Sequence, residues 1–237
     1  TLNKKKSQLT QNLSISSSLT CGLDSGEYMP WFASGYGAEL PDNQIIDDAK
    51  SVVFDSTMLK NNYVILGKTS LTVELSSNKN FGMIAVRLCE IDQNRNSNLI
   101  TFGILNLNQI KGKKTNYKIK ANKKYKVIIN LNHTGYEFKK NNKIRISIST
   151  SYWPMAWPLH EKFTLKIYLK NSFVELPKRM NLVRDNSFQK AEQSKFLSFN
   201  QIIKPRRVRQ ITKNIESAYT LMYEKYLNNS PLENIEV

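Results

Sequence analysis

Histidine and cysteine are nearly missing from this chain, with two of each in 237 residues. Cys21 and Cys89 cannot build a disulfide framework, and neither has a neighbour at metal-binding spacing, so we expect ordinary free thiols. That favours a reducing, cytoplasmic setting. With only His133 and His160 as imidazole bases, acid–base chemistry has few places to start. His133 lies in an Asn-rich stretch, Asn132 to Gly135, that reads as a turn, and His160 has no orienting partner nearby in sequence. No apolar run approaches the roughly 20 residues of a membrane-spanning helix. The opening Thr1-Leu2-Asn3-Lys4-Lys5-Lys6 has no apolar stretch of the signal-peptide kind after it, and no initiator Met. We expect a piece of a longer chain, cut at both ends.

Motifs for catalysis are missing as well. A nucleophile elbow needs Gly-x-Ser-x-Gly, because small flanking residues let a strained turn present its hydroxyl. The nearest miss, Gly22-Leu23-Asp24-Ser25-Gly26, has the wrong spacing, and around Ser34 the two glycine positions hold Phe32 and Tyr36. Asp47 and Asp48 are adjacent, so their side chains should diverge on a strand or a helix rather than chelate a metal. Gly35-Tyr36-Gly37 precedes Pro41 and not a phosphate-binding helix. We therefore expect no catalytic, cofactor-binding or metal-ligating residue, and no activity from this chain alone.

Acidic residues are scarce beside basic ones, 19 against 35, for a formal charge of +16. Of the basic residues 27 are Lys and only 8 Arg, while Asn reaches 26, a joint enrichment that reads as codon bias. Base and phosphate recognition leans on the Arg fork, so neither a nucleic-acid nor a membrane partner is expected. The charge is uneven all the same: between Lys111 and Arg145 twelve basic residues face one acid, Glu137. There lysines alternate with apolar residues, as on a solvated strand face, and Lys on exposed edges blocks edge-to-edge pairing. Polyanion binding by Lys111 to Arg145 is the lesser reading, and it requires binding that weakens steeply with salt.

What the chain does have is period-two patterning. Leu71-Val73-Leu75, Tyr125-Val127-Ile129-Leu131, Ile144-Ile146-Ile148 and Phe163-Leu165-Ile167-Leu169 each put alternate apolar side chains on one face. Met83 to Ile91 and Leu99 to Leu107 are apolar more continuously, as central strands covered on both sides would be. Turn residues separate these runs, and helical periodicity is almost absent. A short helical turn fits between Pro41 and Lys50, with Asp42 as cap and Ile45, Ile46 and Ala49 on one face. Arg87, set among apolar neighbours, should find a carboxylate, Glu90 or Asp92 being nearest. Val208 to Ile211 and Ala218 to Tyr226 read as strands with a turn at Asn214 to Ser217. Many short strands without intervening helices define an all-β sandwich or jelly roll.

Four blocks carry a family resemblance: Cys21-Gly22-Leu23 through Asp47-Asp48, Phe54-Asp55-Ser56, Val86 to Ile91 leading to Thr101 through Leu107, and Ile146 through Pro158 with its Ser151-Tyr152-Trp153-Pro154 core. In that order they resemble the C-terminal domain of X-Pro dipeptidyl-peptidase and of the CocE/NonD hydrolases, a group that includes cocaine esterase and α-amino-acid ester hydrolases. The resemblance implies a jelly-roll β-sandwich of the galactose-binding-like type with a C-terminal β-extension. It divides the chain into a connecting segment and aromatic loop (1–50), the sandwich (51–177), and a linker with a partial extension (178–237). It also implies an α/β-hydrolase domain of the same protein as partner, carrying the Ser-Asp-His triad that no residue here matches, and leaves room for a homo-oligomer.

On that basis five residues are candidates for an interdomain contact or pocket wall: Trp31, Tyr36 and Glu39 in the irregular aromatic segment, and Trp153 and Trp157 in the stiff Tyr152-to-Pro158 loop. Three roles remain open for the two indoles: capping the sandwich core, contacting the hydrolase domain, or stacking on a sugar in a free-standing carbohydrate-binding module.

Overall fold

Alternate β-branched and leucine side chains need a facing apolar surface, and here two antiparallel four-stranded sheets supply it to each other. In the computed structural model the described residues are 12–26, 40–112, 117–179, 189–190, 192, 206–214 and 219–227. The strands are β1 (Asn12–Ile15), β2 (Val52–Asp55), β3 (Tyr63–Ser77), β4 (Met83–Ile91), β5 (Ser97–Asn106), β6 (Tyr125–Phe138), β7 (Lys143–Ser149) and β8 (Leu165–Glu175). One sheet has the order β1-β8-β3-β6 and the other β2-β7-β4-β5. The first strand pairs with the eighth, the second with the seventh, the third with the sixth and the fourth with the fifth, all antiparallel. These nested pairs are one long hairpin folded over on itself, which is a jelly roll.

The core lies between the sheets. Leu71, Val73 and Leu75 of β3 and Val127, Ile129 and Leu131 of β6 belong to one buried cluster with Ile84, Val86 and Leu88 of β4 and Ile144, Ile146 and Ile148 of β7. β4 is buried along its whole length, as its continuous apolar run predicts. Its even-numbered residues through Leu88 enter the core, so Arg87 and Cys89 point to the other face of their sheet.

Two expectations are corrected. Asn132 to Gly135 is no turn, because β6 runs straight through it, paired to β3 from Tyr125 to Phe138. The ladder absorbs the irregular sequence in a bulge, where Thr69 alone faces Leu131 and Asn132 between the pairs Lys68–His133 and Ser70–Asn130. The helical turn exists as α1 (Ile45–Asp48), but Gln44 takes the cap position and no side chain caps the helix. Its apolar face is also turned outward: Ile45 and Ile46 are each 49% exposed, whereas Asp47 and Asp48 are buried.

By contacts the chain divides into two units, one of Thr1–Tyr28 with Leu40–Met180 and one of Met29–Glu39 with Asn181–Val237. The second contains an antiparallel hairpin, β9 (Arg206–Asn214) with β10 (Tyr219–Leu227), where the sequence places its last two strands.

Candidate docking surface

The face of the β2-β7-β4-β5 sheet away from the core is covered by non-strand chain from residues 17–26, 40–51 and 150–158. Arg87 stands at the centre of this face, in register with Ser147 on one side and Phe102 on the other. The ring of Tyr152 lies over them, edge-on to Phe102 at 5.3 Å and 5.6 Å from the Arg87 guanidinium carbon.

α1 reaches down onto this row with its two carboxylates. Asp48 accepts on Oδ1 from Arg87 Nη2 at 2.9 Å and Ser147 Oγ at 2.6 Å, and on Oδ2 from Ser97 Oγ at 2.6 Å and Arg145 Nη1 at 3.0 Å. Asp47 lies 3.5 Å from Arg87 Nη1 and receives Lys50 Nζ at 3.1 Å. Arg145 turns its remaining edge to Asp55, Nε to Oδ1 at 2.6 Å and Nη2 to Oδ2 at 2.8 Å. That fork holds the Asp55 carboxyl below the usual carboxylate range. Three acids thus balance three bases, which makes burial of Arg87, only 1% exposed, tolerable.

Arg87 therefore pairs with Asp47 and Asp48, not with the expected Glu90 or Asp92. The partners are 39–40 positions away in sequence, and a local reading could not see them. Glu90 sits on the opposite face of β4 and ties the sheets together, accepting from Tyr136 Oη at 2.6 Å and from the Lys139 amide at 2.8 Å. Asp92 accepts instead from the amide and side chain of Asn96 in the β4–β5 turn.

The covering segments are stitched together above this network. Gly22 has a positive φ of 110°, and a side chain there would fall on the backbone of Trp153. The close approach lets the Trp153 amide donate to Cys21 O at 2.9 Å. Trp153 is half-buried and meets Trp157 edge to face, centroids 4.9 Å apart. Trp157 is 79% exposed, and neither indole belongs to the sandwich core. Leu19, Leu40, Ile45 and Ile46, also exposed, belong to the same covering segments. Trp31, Tyr36 and Glu39 lie outside the described residues. Of the five candidates the structure thus brings Trp153 and Trp157 together, and it adds exposed Ile45 and Ile46, whose one signal in the sequence was an isoleucine pair preceding two acids.

The chemistry offered here is packing and charge pairing. Burial pushes the Cys21 thiol up and the Cys89 thiol up to about 12, so neither is an available nucleophile near neutral pH. His133 is exposed in β6, and His160 rests against Phe81 at 4.4 Å, with a carboxylate oxygen of Glu161 at 4.0 Å. No cluster of three potential metal-ligating His, Cys, Asp or Glu side chains occurs among the described residues, and none of their helices is long and apolar enough to cross a membrane.

The described residues thus form an eight-stranded jelly roll with one sheet face covered by ion pairs and exposed apolar side chains. The chain belongs to the family described as the X-Pro dipeptidyl-peptidase C-terminal non-catalytic domain, matched over residues 3–192. Among solved structures it is similar to an α-amino acid ester hydrolase labelled with selenomethionine, at 13% identity and a TM-score of 0.56, covering 71% of this chain and 32% of that one. It is also similar to an aminopeptidase from a marine sediment archaeon, Thaumarchaeota archaeon, at 13% identity and a TM-score of 0.61, covering 72% and 33% of the two chains. At such identity the likeness is one of fold. The matched region is about a third of each of those proteins. A search of curated protein sequences finds no match.

Proposed function

We propose that this domain docks on an α/β-hydrolase domain of the same protein through the covered face of its β2-β7-β4-β5 sheet, helping to wall the substrate pocket. In that setting the complete protein hydrolyses X-Pro peptides or acyl esters, and residues 1–50 connect the catalytic portion to the sandwich. The observation that carries the reading is Trp157: 79% exposed, braced edge-on by Trp153, on a loop that a proline holds at each tryptophan. A large rigid aromatic held out in this way is the usual anchor of a protein contact. The exposed Ile45 and Ile46 add apolar area to the same covering layer. Two buried free thiols suit a reducing compartment, and we place the protein in the cytoplasm.

A free-standing carbohydrate-binding module would also present an exposed indole. The pairing at 83° speaks against a two-ring sugar platform, because two nearly perpendicular rings cannot form one flat stacking surface. Titrating this chain with the hydrolase domain encoded at the same locus tests the docking. Trp157→Ala should weaken the complex by about 2 kcal/mol or more, some thirtyfold in Kd. Unchanged affinity, together with a glycan-dependent quench of tryptophan fluorescence, would favour the sugar-binding alternative instead.

A further inference from the structure

The basic residues from Lys111 to Arg145 do not form one group in the folded chain. Arg145 is committed to Asp48 and Asp55, and Lys139 to Glu137. Lys111, Lys118, Lys120, Lys123 and Lys124 lie on one of three connecting segments that meet at one end of the sandwich. Hydrogen bonds join these segments: the Asn122 amide to Ser77 O at 2.6 Å, the Ala121 amide to Asn80 Oδ1 at 2.9 Å, and the Thr164 amide to Asn78 Oδ1 at 2.8 Å.

At this end Lys79 is neutralised by Glu161 at 2.6 Å. Lys111, Lys123, Lys124 and Lys166 have no carboxylate partner among the described residues. Each is instead held over a tyrosine ring: Lys111 over Tyr117 at 4.6 Å, Lys123 over Tyr125 at 5.8 Å, and Lys124 and Lys166 over Tyr168 at 4.1 and 5.8 Å. Freely solvated lysines would extend away from one another. These are parked on aromatic faces, which narrows their rotamers in advance and keeps like charges together despite their repulsion.

We propose that this end of the sandwich is a docking surface for a carboxylate-rich protein surface. Ammonium groups already lie over the tyrosines, which leaves bases of a nucleic acid little ring face to stack on. The cationic side chains are lysines, point charges without the fork that favours phosphate. They are also spread over several segments, the breadth of a protein contact and not of a small-anion pocket. The proposal adds the partner's chemistry to the docking reading and rests on it, since Trp157 belongs to the segment that leads into β8.

The test uses the full chain and fluorescent poly-L-glutamate of about 50 residues, titrated across a salt series. A Lys123→Gln, Lys124→Gln, Lys166→Gln variant should bind at least about tenfold more weakly, with a shallower salt dependence. A control that removes the same charge elsewhere, Lys60→Gln, Lys68→Gln, Lys140→Gln, should change affinity less than about twofold. Equal losses in the two variants would overturn the proposal, since bulk charge would then account for binding. Tighter binding of a single-stranded oligonucleotide of matched charge would overturn it too. Trp157→Ala should leave polyglutamate binding unchanged, so failure of the docking reading and failure of this proposal are separable.

Discussion

Asp48 is the residue on which the covered face turns. Four donors converge on its two oxygens, two of them guanidinium groups. Removing the carboxylate strands the positive charge of a buried Arg87, whose remaining acid, Asp47, is 3.5 Å away. Asp48→Ala should therefore destabilise the fold by about 3–5 kcal/mol, the range for breaking one side of a buried pair. A lower urea midpoint at unchanged slope would register it. Asp55 makes the neighbouring contribution depend on pH. Its carboxyl is depressed in the folded state by Arg145, so the unfolded chain takes up the proton first as pH falls. The stabilisation is complete above the unfolded pKa of about 4 and disappears as pH drops through the lower folded value. Asp55→Asn should be less stable at neutral pH and should flatten the stability profile below about pH 4, read by urea titration at stepped pH.

Among the elements, the long strands were legible and the short irregular pieces were not. β4 was readable from Met83 to Ile91 because a continuous apolar run matches a strand buried on both faces. β1 and β2, four residues each, carry too little alternation to announce themselves. Asn132 to Gly135 misled because turn-type residues also occur at bulges, and only the β3 partner reveals which is present. α1 misled for a deeper reason. Local amphipathicity puts Ile45 and Ile46 inward, but the network around Arg87 draws Asp47 and Asp48 in and turns the isoleucines out. Such conflict between local pattern and tertiary context is where sequence reading fails. The edge where the sheets converge provides a sharp test. Gly103 of β5 packs so closely on β6 that a Cβ would fall on the carbonyl of Asn130, while Thr101 Oγ1 donates to Asn132 O at 3.0 Å. Gly103→Ala should cost about 1–3 kcal/mol by overpacking and lower Tm by several degrees in a thermal melt.

For the whole molecule, the sandwich and its site divide the labour between two kinds of surface. The apolar interior between the sheets holds the strands, whereas the outer face of β2-β7-β4-β5 is held by ion pairs that fix geometry more than they add stability. That arrangement is what the docking proposed above would need, a preset face. The two tryptophans could be singled out in the sequence because large aromatics each followed by a proline stand out without knowledge of the fold. The partners of Arg87 could not, since the pairing exists only after the chain folds back across the sheet. The matched region is about a third of the solved structures it resembles, and the function proposed above assigns hydrolysis to a longer product. The most direct measurement is hydrolysis of a chromogenic X-Pro anilide and a short acyl ester by this chain and by the complete product of its locus, with and without a serine-directed inhibitor. The account predicts inhibitor-sensitive turnover by the complete product and none by this chain. Turnover by this chain alone would contradict it.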